Sequence, residues 1–287
     1  MCRLFGLSGG EERIRATFWL LEAPDSLALQ SRGEPDGAGL GTFDTDDRPH
    51  VMREPIAAYE DASFSRAARE ERSSTFVAHV RYASTGEVSS RNTHPFEQRG
   101  RLFAHNGVVG DLEKLEERLG EYRKLVDGET DSERYFALIT KEIEAAGGDV
   151  GAGIGAAARW ISCELPVFSL NMVLTTPDGL WALRYPETHD LFVLERAAGG
   201  AHGSRHLDHA SAAGTVRVRS RDLKRRPSVV VATERMDEDP LWRPIEPGAL
   251  LHVGPDLACT TTPAIDFPPA MPLSLDDLGE REASSQA

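Results

Sequence analysis

Thr75-Phe76-Val77-Ala78-His79-Val80-Arg81-Tyr82 alternates apolar and polar side chains, and the chain runs on through Ala83-Ser84-Thr85-Gly86. A period of two marks a half-buried strand. Upstream, residues 2–8 read as a short buried strand and 14–22 as a helical segment. A Pro/Gly/Asp-rich loop then spans Ala23 to Asp36, and 37–43 can pair with 49–53. Downstream, 101–105 reads as a strand that stops at Asn106-Gly107, a strong turn signal.

Helical patterning follows. Asp111 can cap a segment to Leu119, and Thr130 or Asp131 can cap a second from Ser132 to Ala146. In the latter, Phe136, Ile139 and Ile143 recur at helical spacing. A third helix is predicted over 151–163, followed by strands at 167–176, 179–184, 190–196, 228–234 and 249–253. Strands, then helices, then strands again predict two sheets with helices outside them rather than a parallel βαβ array. Residues 260–287 hold four prolines and an acidic polar end. They are expected to form a flexible C-terminal tail behind a domain spanning 2–259.

The 32 basic and 46 acidic residues leave a net charge of −14. An acidic surface repels phosphate backbones and anionic lipid, which argues against nucleic acid and membrane as partners. No apolar run approaches a membrane span and residues 1–10 lack a signal-peptide pattern, so the expected location is cytoplasmic. Three cysteines, Cys2, Cys163 and Cys259, are too few for a disulfide framework. Cys163 is expected to fill core space and Cys259 to be incidental. His202, His206 and His209 sit in a polar Gly/Ala-rich stretch read as a solvated loop, so no metal is expected. The basic run from Arg217 to Arg226 is read as a solvated face.

Cys2 differs from the other two cysteines. Once Met1 is removed, it carries both a thiol and an α-amine, which titrates near 7.7–8.0 in model compounds. One residue then supplies nucleophile and base. After Met1-Cys2-Arg3, four segments appear in order: 79–86, Asn92-Thr93-His94-Pro95-Phe96, His105-Asn106-Gly107 and Gly128-Glu129-Thr130-Asp131-Ser132-Glu133. This series resembles the glutaminase domain of class II glutamine amidotransferases, over roughly residues 2–145. Val229 to Glu234, Trp242-Arg243-Pro244 and Pro247-Gly248 resemble the second half of the stand-alone subgroup, which includes γ-glutamyl hydrolases of ergothioneine synthesis.

The resemblance implies an α+β fold of the N-terminal nucleophile hydrolase type, a four-layer α/β/β/α sandwich of two antiparallel sheets. Val80, Leu170, Val173 and Val230 are expected between the sheets. The implied catalytic set is Cys2, the Asn106 amide and the Gly107 N–H, the last two holding an oxyanion. The implied substrate-binding set is Arg81 for an α-carboxylate, Asp131 for an α-ammonium, and Tyr82 and Ser84. His79, His94 and His105 are read as structural histidines satisfied by hydrogen bonds.

The implied activity is thiol-dependent hydrolysis of the γ-amide of glutamine or a γ-glutamyl conjugate, with no cofactor. Ammonia would be released or passed to a separate synthase subunit, and the subgroup suggests a homodimer. The alternatives are a partner-dependent glutaminase subunit and a non-catalytic glutamine-binding regulatory subunit. The loop Arg32-Gly33-Glu34-Pro35-Asp36-Gly37-Ala38-Gly39 departs from the family, with Ala38 where the stand-alone group commonly has tryptophan.

Overall fold

The computed structural model describes residues 2–83, 86–199, 209–210, 217–218 and 225–286. Ser84, His202, His206 and most of the basic run lie outside the described residues. In chain order the strands are β1 (Arg3–Ser8), β2 (Gly37–Phe43), β3 (Pro49–Glu54), β4 (Thr75–Arg81), β5 (Phe96–Gln98), β6 (Arg101–Asn106), β7 (Pro166–Val167), β8 (Asn171–Thr176) and β9 (Gly179–Leu183). They continue with β10 (Phe192–Arg196), β11 (His209–Ala210), β12 (Arg217–Val218), β13 (Ser228–Ala232), β14 (Arg243–Pro244), β15 (Ala249–Val253), β16 (Cys259–Pro263) and β17 (Met271–Pro272). The α-helices are α1 (Leu27–Gln30), α2 (Ala62–Glu70), α3 (Leu112–Leu119), α4 (Asp131–Ala145), α5 (Val150–Glu164) and α6 (Glu280–Gln286).

Two main sheets form, ordered β14-β10-β13-β1-β4-β2-β3 and β16-β15-β9-β8-β6-β5. Each strand pair within them is antiparallel. Alternation along each strand divides the side chains between layers. Leu4, Val77 and Val231 of the first sheet meet Leu102, Ala104, Val173, Ala182 and Leu251 of the second. The neighbouring residues Phe5, Phe76, Ala78 and Val230 point the other way, under Phe18, Trp19, Leu27 and Phe64. On the far side, Phe103, Met172 and Leu174 pack under Phe136, Ile139, Ile154 and Ile161 of α4 and α5. The four-layer α/β/β/α sandwich is the architecture expected from the sequence.

Several details differ from expectation. Of the four residues placed between the sheets, only Val173 is there. Val80 and Val230 face the outer helices and Leu170 lies in the α4/α5 layer. With a period of two, a one-residue error in parity moves a side chain to the opposite face. The segment 14–22 forms only a single π-helical turn, Phe18–Glu22. The predicted strand 167–176 is broken into β7 and β8. Cys163 is exposed rather than core. Ile154, Ala157, Ala158 and Ile161 define the buried face of α5, and position 163 falls off it.

The segment expected to be a loose tail also carries structure. β16 pairs with β15, and β17 pairs in parallel with β7. The last helix, α6, buries Ser285 and Gln286.

Helices α4 and α5 touch at a glycine. A Cβ on Gly153 would lie 2.6 Å from the backbone N and 2.7 Å from the Cα of Ile143, whereas one on Gly151 would meet nothing closer than 3.6 Å. Gly153→Val should therefore lower stability by about 1–3 kcal/mol through overpacking. Gly151→Ala should leave it unchanged or raise it by up to about 1 kcal/mol. Urea denaturation of the two variants beside the parent checks the pair, and equal midpoints would refute the contact.

Candidate active site

The first residues of a chain ordinarily fray, but β1 lies between β13 and β4 in the middle of the first sheet. The register Arg3↔Val80 and Leu4↔His79 brings Cys2 to the end of β4, beside Arg81 and Tyr82. The Tyr82 backbone N–H donates to Cys2 Sγ at 3.2 Å. From the second sheet, Asn106 at the end of β6 donates through Nδ2 to the Cys2 carbonyl at 3.0 Å. The Cys2 thiol also donates to the Tyr82 carbonyl at 3.5 Å, so contacts from both sheets fix the cysteine.

Cys2 is 8% exposed. Burial pushes its thiol up to about 11, with the Tyr82 N–H pulling the other way, the Glu34 carboxylate adding to the rise and Arg81 opposing it. A thiol in this state is protonated at neutral pH.

Gly107 follows Asn106 where the chain passes close to β8. A Cβ there would collide with the Ser169 carbonyl, so no larger residue keeps this path. That carbonyl also accepts from His105 Nε2 at 3.0 Å. The ring proton therefore sits on Nε2, and Nδ1 accepts from the Ser132 hydroxyl at 3.0 Å.

The start of α4 supplies the acid. Thr130 is the cap, its hydroxyl accepting the Glu133 N–H at 3.3 Å. Asp131 is the first helical residue, and its Oδ2 accepts the Val109 N–H at 2.9 Å. Arg134 ties this turn to α3 through Glu116 at 2.7 Å, and donates to the Thr130 carbonyl at 2.9 Å.

Two motifs close over one another. Asn92 Oδ1 accepts the Glu129 N–H at 2.9 Å, and Asn92 Nδ2 donates to Glu129 Oε2 at 3.0 Å. Arg81 is buried and donates to the Glu87 carbonyl at 3.2 Å. Its burial lowers its basicity, while Cys2, Asp36 and Asp131 raise it.

Cys2, Arg81, Tyr82, Asn106, Gly107 and Asp131 all border one pocket, so six of the seven residues singled out in the sequence converge. The seventh, Ser84, lies outside the described residues. Its free volume is about 20 Å³, room for about one water molecule.

The histidine expectation holds only in part. His105 is satisfied, but neither ring nitrogen of His79 or His94 has a hydrogen-bond partner among the described residues. Their rings pack 4.3 Å apart and both border the pocket. Burial pushes His79 down to about 3 and His94 well below the usual imidazole range, so both are neutral.

Other residues of the site escaped the sequence reading. Asp36 Oδ2 accepts the Ala83 N–H at 2.9 Å, bracing the chain just past Arg81. Glu34 is buried, 3.7 Å from Arg3. Both acids sit in the loop that departs from the family, which was the available signal. Ala38 packs in the outer helical layer, so the variant position does not line the pocket. Gln286 also borders the pocket, and no local pattern could have announced it. No described helix is long and apolar enough to cross a membrane. No group of three or more His, Cys, Asp or Glu among the described residues could hold a metal ion.

Comparison with known proteins places this geometry in a family. The chain is 29% identical over 170 residues to a Saccharomyces cerevisiae protein named a probable glutamine amidotransferase, covering 52% of this chain and 47% of that one. It is 30% identical over 228 residues to the γ-glutamyl-hercynylcysteine sulfoxide hydrolase of Mycobacterium tuberculosis, covering 75% of this chain and 89% of that one. The chain thus spans about half the length of the yeast relative and most of the mycobacterial one. Its fold matches the glutamine phosphoribosylpyrophosphate amidotransferase of B. subtilis with a TM-score of 0.64, at 17% identity, over 93% of this chain and 50% of that one. The family model for class II glutamine amidotransferases matches residues 1–270, nearly the whole sequence that builds these two sheets and the pocket between their ends, and the chain belongs to that family.

Proposed function

We propose that the chain hydrolyses the γ-amide of glutamine or of a γ-glutamyl conjugate through a Cys2 thioester. The observation that carries this reading is the convergence of a thiol, an amide donor, a guanidinium and a carboxylate on one pocket. Residues 2–259 would form the catalytic domain.

In this reading the Cys2 thiol, held up to about 11 by burial, needs a base to lose its proton. Removal of Met1 would free the Cys2 α-amine, whose ordinary range of about 7.7–8.0 suits that task. Sulfur then bonds to the carbonyl carbon of the substrate γ-amide, and the C=O π bond opens to an oxyanion. The oxyanion that develops is met by the second hydrogen of the Asn106 amide and by the Gly107 N–H. As the C–N bond breaks, the nitrogen leaves as ammonia or an amine with the proton from the α-amine. Water then bonds to the same carbon, the C–S bond breaks, and glutamate and the thiol are restored. No cofactor enters these steps.

Arg81 would pair with the substrate α-carboxylate through its planar fork, and Asp131 with the α-ammonium. Tyr82 and Ser84 would complete the head-group site. Neutral His79 and His94 present unpaired ring nitrogens to the pocket but are poor general acids or bases at neutral pH. The relatives' names support both glutamine and a larger γ-glutamyl conjugate as substrate. A cytoplasmic location, a homodimer and a separate synthase that takes the ammonia complete the proposal.

The test uses protein whose terminus mass spectrometry shows to be Cys2, incubated with L-glutamine and a panel of γ-glutamyl amides. Glutamate release should vanish in Cys2→Ala and in protein that retains Met1. Turnover by the Met1-retaining form would refute the N-terminal nucleophile. Asn106→Ala should lower kcat by ~100–1,000-fold with little change in KM, whereas Arg81→Lys should act mainly on KM. The reverse split would exchange the two roles.

The thiol itself gives a pH prediction. A raised pKa keeps the neutral form dominant below about 11. Iodoacetamide labelling of Cys2 should therefore rise about tenfold per pH unit between pH 8 and 10, and a rise that levels off above about pH 9 would show an ordinary exposed thiol with a pKa near about 8.5.

A further inference from the structure

Gln286 reaches the pocket of Cys2 from the far end of the sequence. It is 4% exposed, and its Oε1 accepts from His189 Nε2 at 2.8 Å. Its Nε2 donates to Ser285 Oγ at 3.1 Å, and Ser285 is fully buried. With Gln286 in place, the free volume beside Cys2, Arg81 and Asp131 is about 20 Å³. A space that holds about one water takes an amino-acid head group only when part of its lining moves aside.

The segment is firmly attached up to a definite point. Ala270 donates its N–H to the Ser162 carbonyl and Leu273 to the Val167 carbonyl, each at 2.8 Å. Beyond Leu273, the turn Leu275–Asp277 is closed by its own capping box, with Ser274 and Asp277 bonded to each other. Gly279 then leads into α6.

The helix is Glu280-Arg281-Glu282-Ala283-Ser284-Ser285-Gln286, without a large apolar side chain. A helix of seven residues is marginal by itself, and this one has little apolar surface to bury. Arg281 is exposed, yet near enough to Arg81 for the two guanidiniums to repel. Among the described residues the contact with the body of the chain is thus held by the Gln286–His189 hydrogen bond, opposed by a like charge, and reached through the short stretch Ser274–Gly279.

We propose that α6 is a built-in occupant of the Cys2 pocket, which the substrate head group displaces by pairing its carboxylate with Arg81. The inference rests on the reading of this pocket as the substrate site. A site open for only a fraction of the time has its apparent affinity reduced by that fraction. A helix seated about 90% of the time would raise the apparent KM about tenfold without altering the chemical step.

The experiment compares the full chain, a chain ending at Gly279, Gln286→Ala and Arg281→Glu. The first readout is the rate of Cys2 labelling by iodoacetamide at fixed pH, followed by peptide mass spectrometry to separate Cys2 from Cys163 and Cys259. The shortened chain and Gln286→Ala should label faster, by about tenfold for the shortened chain. Arg281→Glu, which turns the repulsion with Arg81 into attraction, should label more slowly. The KM for L-glutamine should fall in the first two and rise in the third, with kcat held. Equal labelling rates in all four proteins would overturn the proposal, as would a lower rate in the shortened chain. If the shortened chain fails to fold, the opposed effects of the two point variants decide. Labelling requires no turnover, so faster labelling without glutamate release would keep α6 as the occupant and remove the hydrolase reading.

Discussion

The structure depends on the central placement of β1. A chain terminus gains order only when its backbone groups are paired, and β1 is paired on both sides, with β4 and β13. That ladder holds Cys2 at the sheet end. The hydrogen bonds that then fix the residue come from both sheets, two with Tyr82 just past β4 of the first and one with Asn106 of the second. The position of Cys2 therefore records how the two sheets stack, and any change in their packing would move it against the groups around it.

The second constraint is electrostatic. The site brings the Arg81 guanidinium, the Asp131 carboxylate and the Cys2 thiol to one small pocket, with the Asp36 carboxylate near Arg81. Burial alone would favour the neutral form of each. Asp36 and Asp131 raise the basicity of Arg81 while its burial lowers it. For Cys2 burial dominates, leaving the neutral thiol as the form present at neutral pH. His79 and His94 stay neutral for the same reason, so a run of three histidines around the pocket adds polar edges rather than charge.

The motifs were legible because each residue type has few substitutes. Gly107 admits no side chain against Ser169, and Asn92 is bonded at both its amide atoms to the neighbouring motif. The layer assignments were less legible. Val80 and Val230 look identical to between-sheet valines in sequence, and only sheet parity separates them. Cys163 lies in an apolar-looking helix, yet its position falls outside the buried stripe.

By itself the sequence determined the alternation of strands and helices, the four-layer class and six of the residues that meet at the pocket. The alternation follows from local period, and the four-layer class and the six residues from the family resemblance that the ordered motifs carry. Only the tertiary structure decided which face of each strand looks inward, that Asp36 of the divergent loop stands near Arg81, and that Gln286 borders the pocket of Cys2. The physical reason is distance along the chain. Cys2 and Gln286 are joined through sheet stacking and the anchoring of Ala270 and Leu273, and no local pattern encodes a contact that exists only when both sheets are in place.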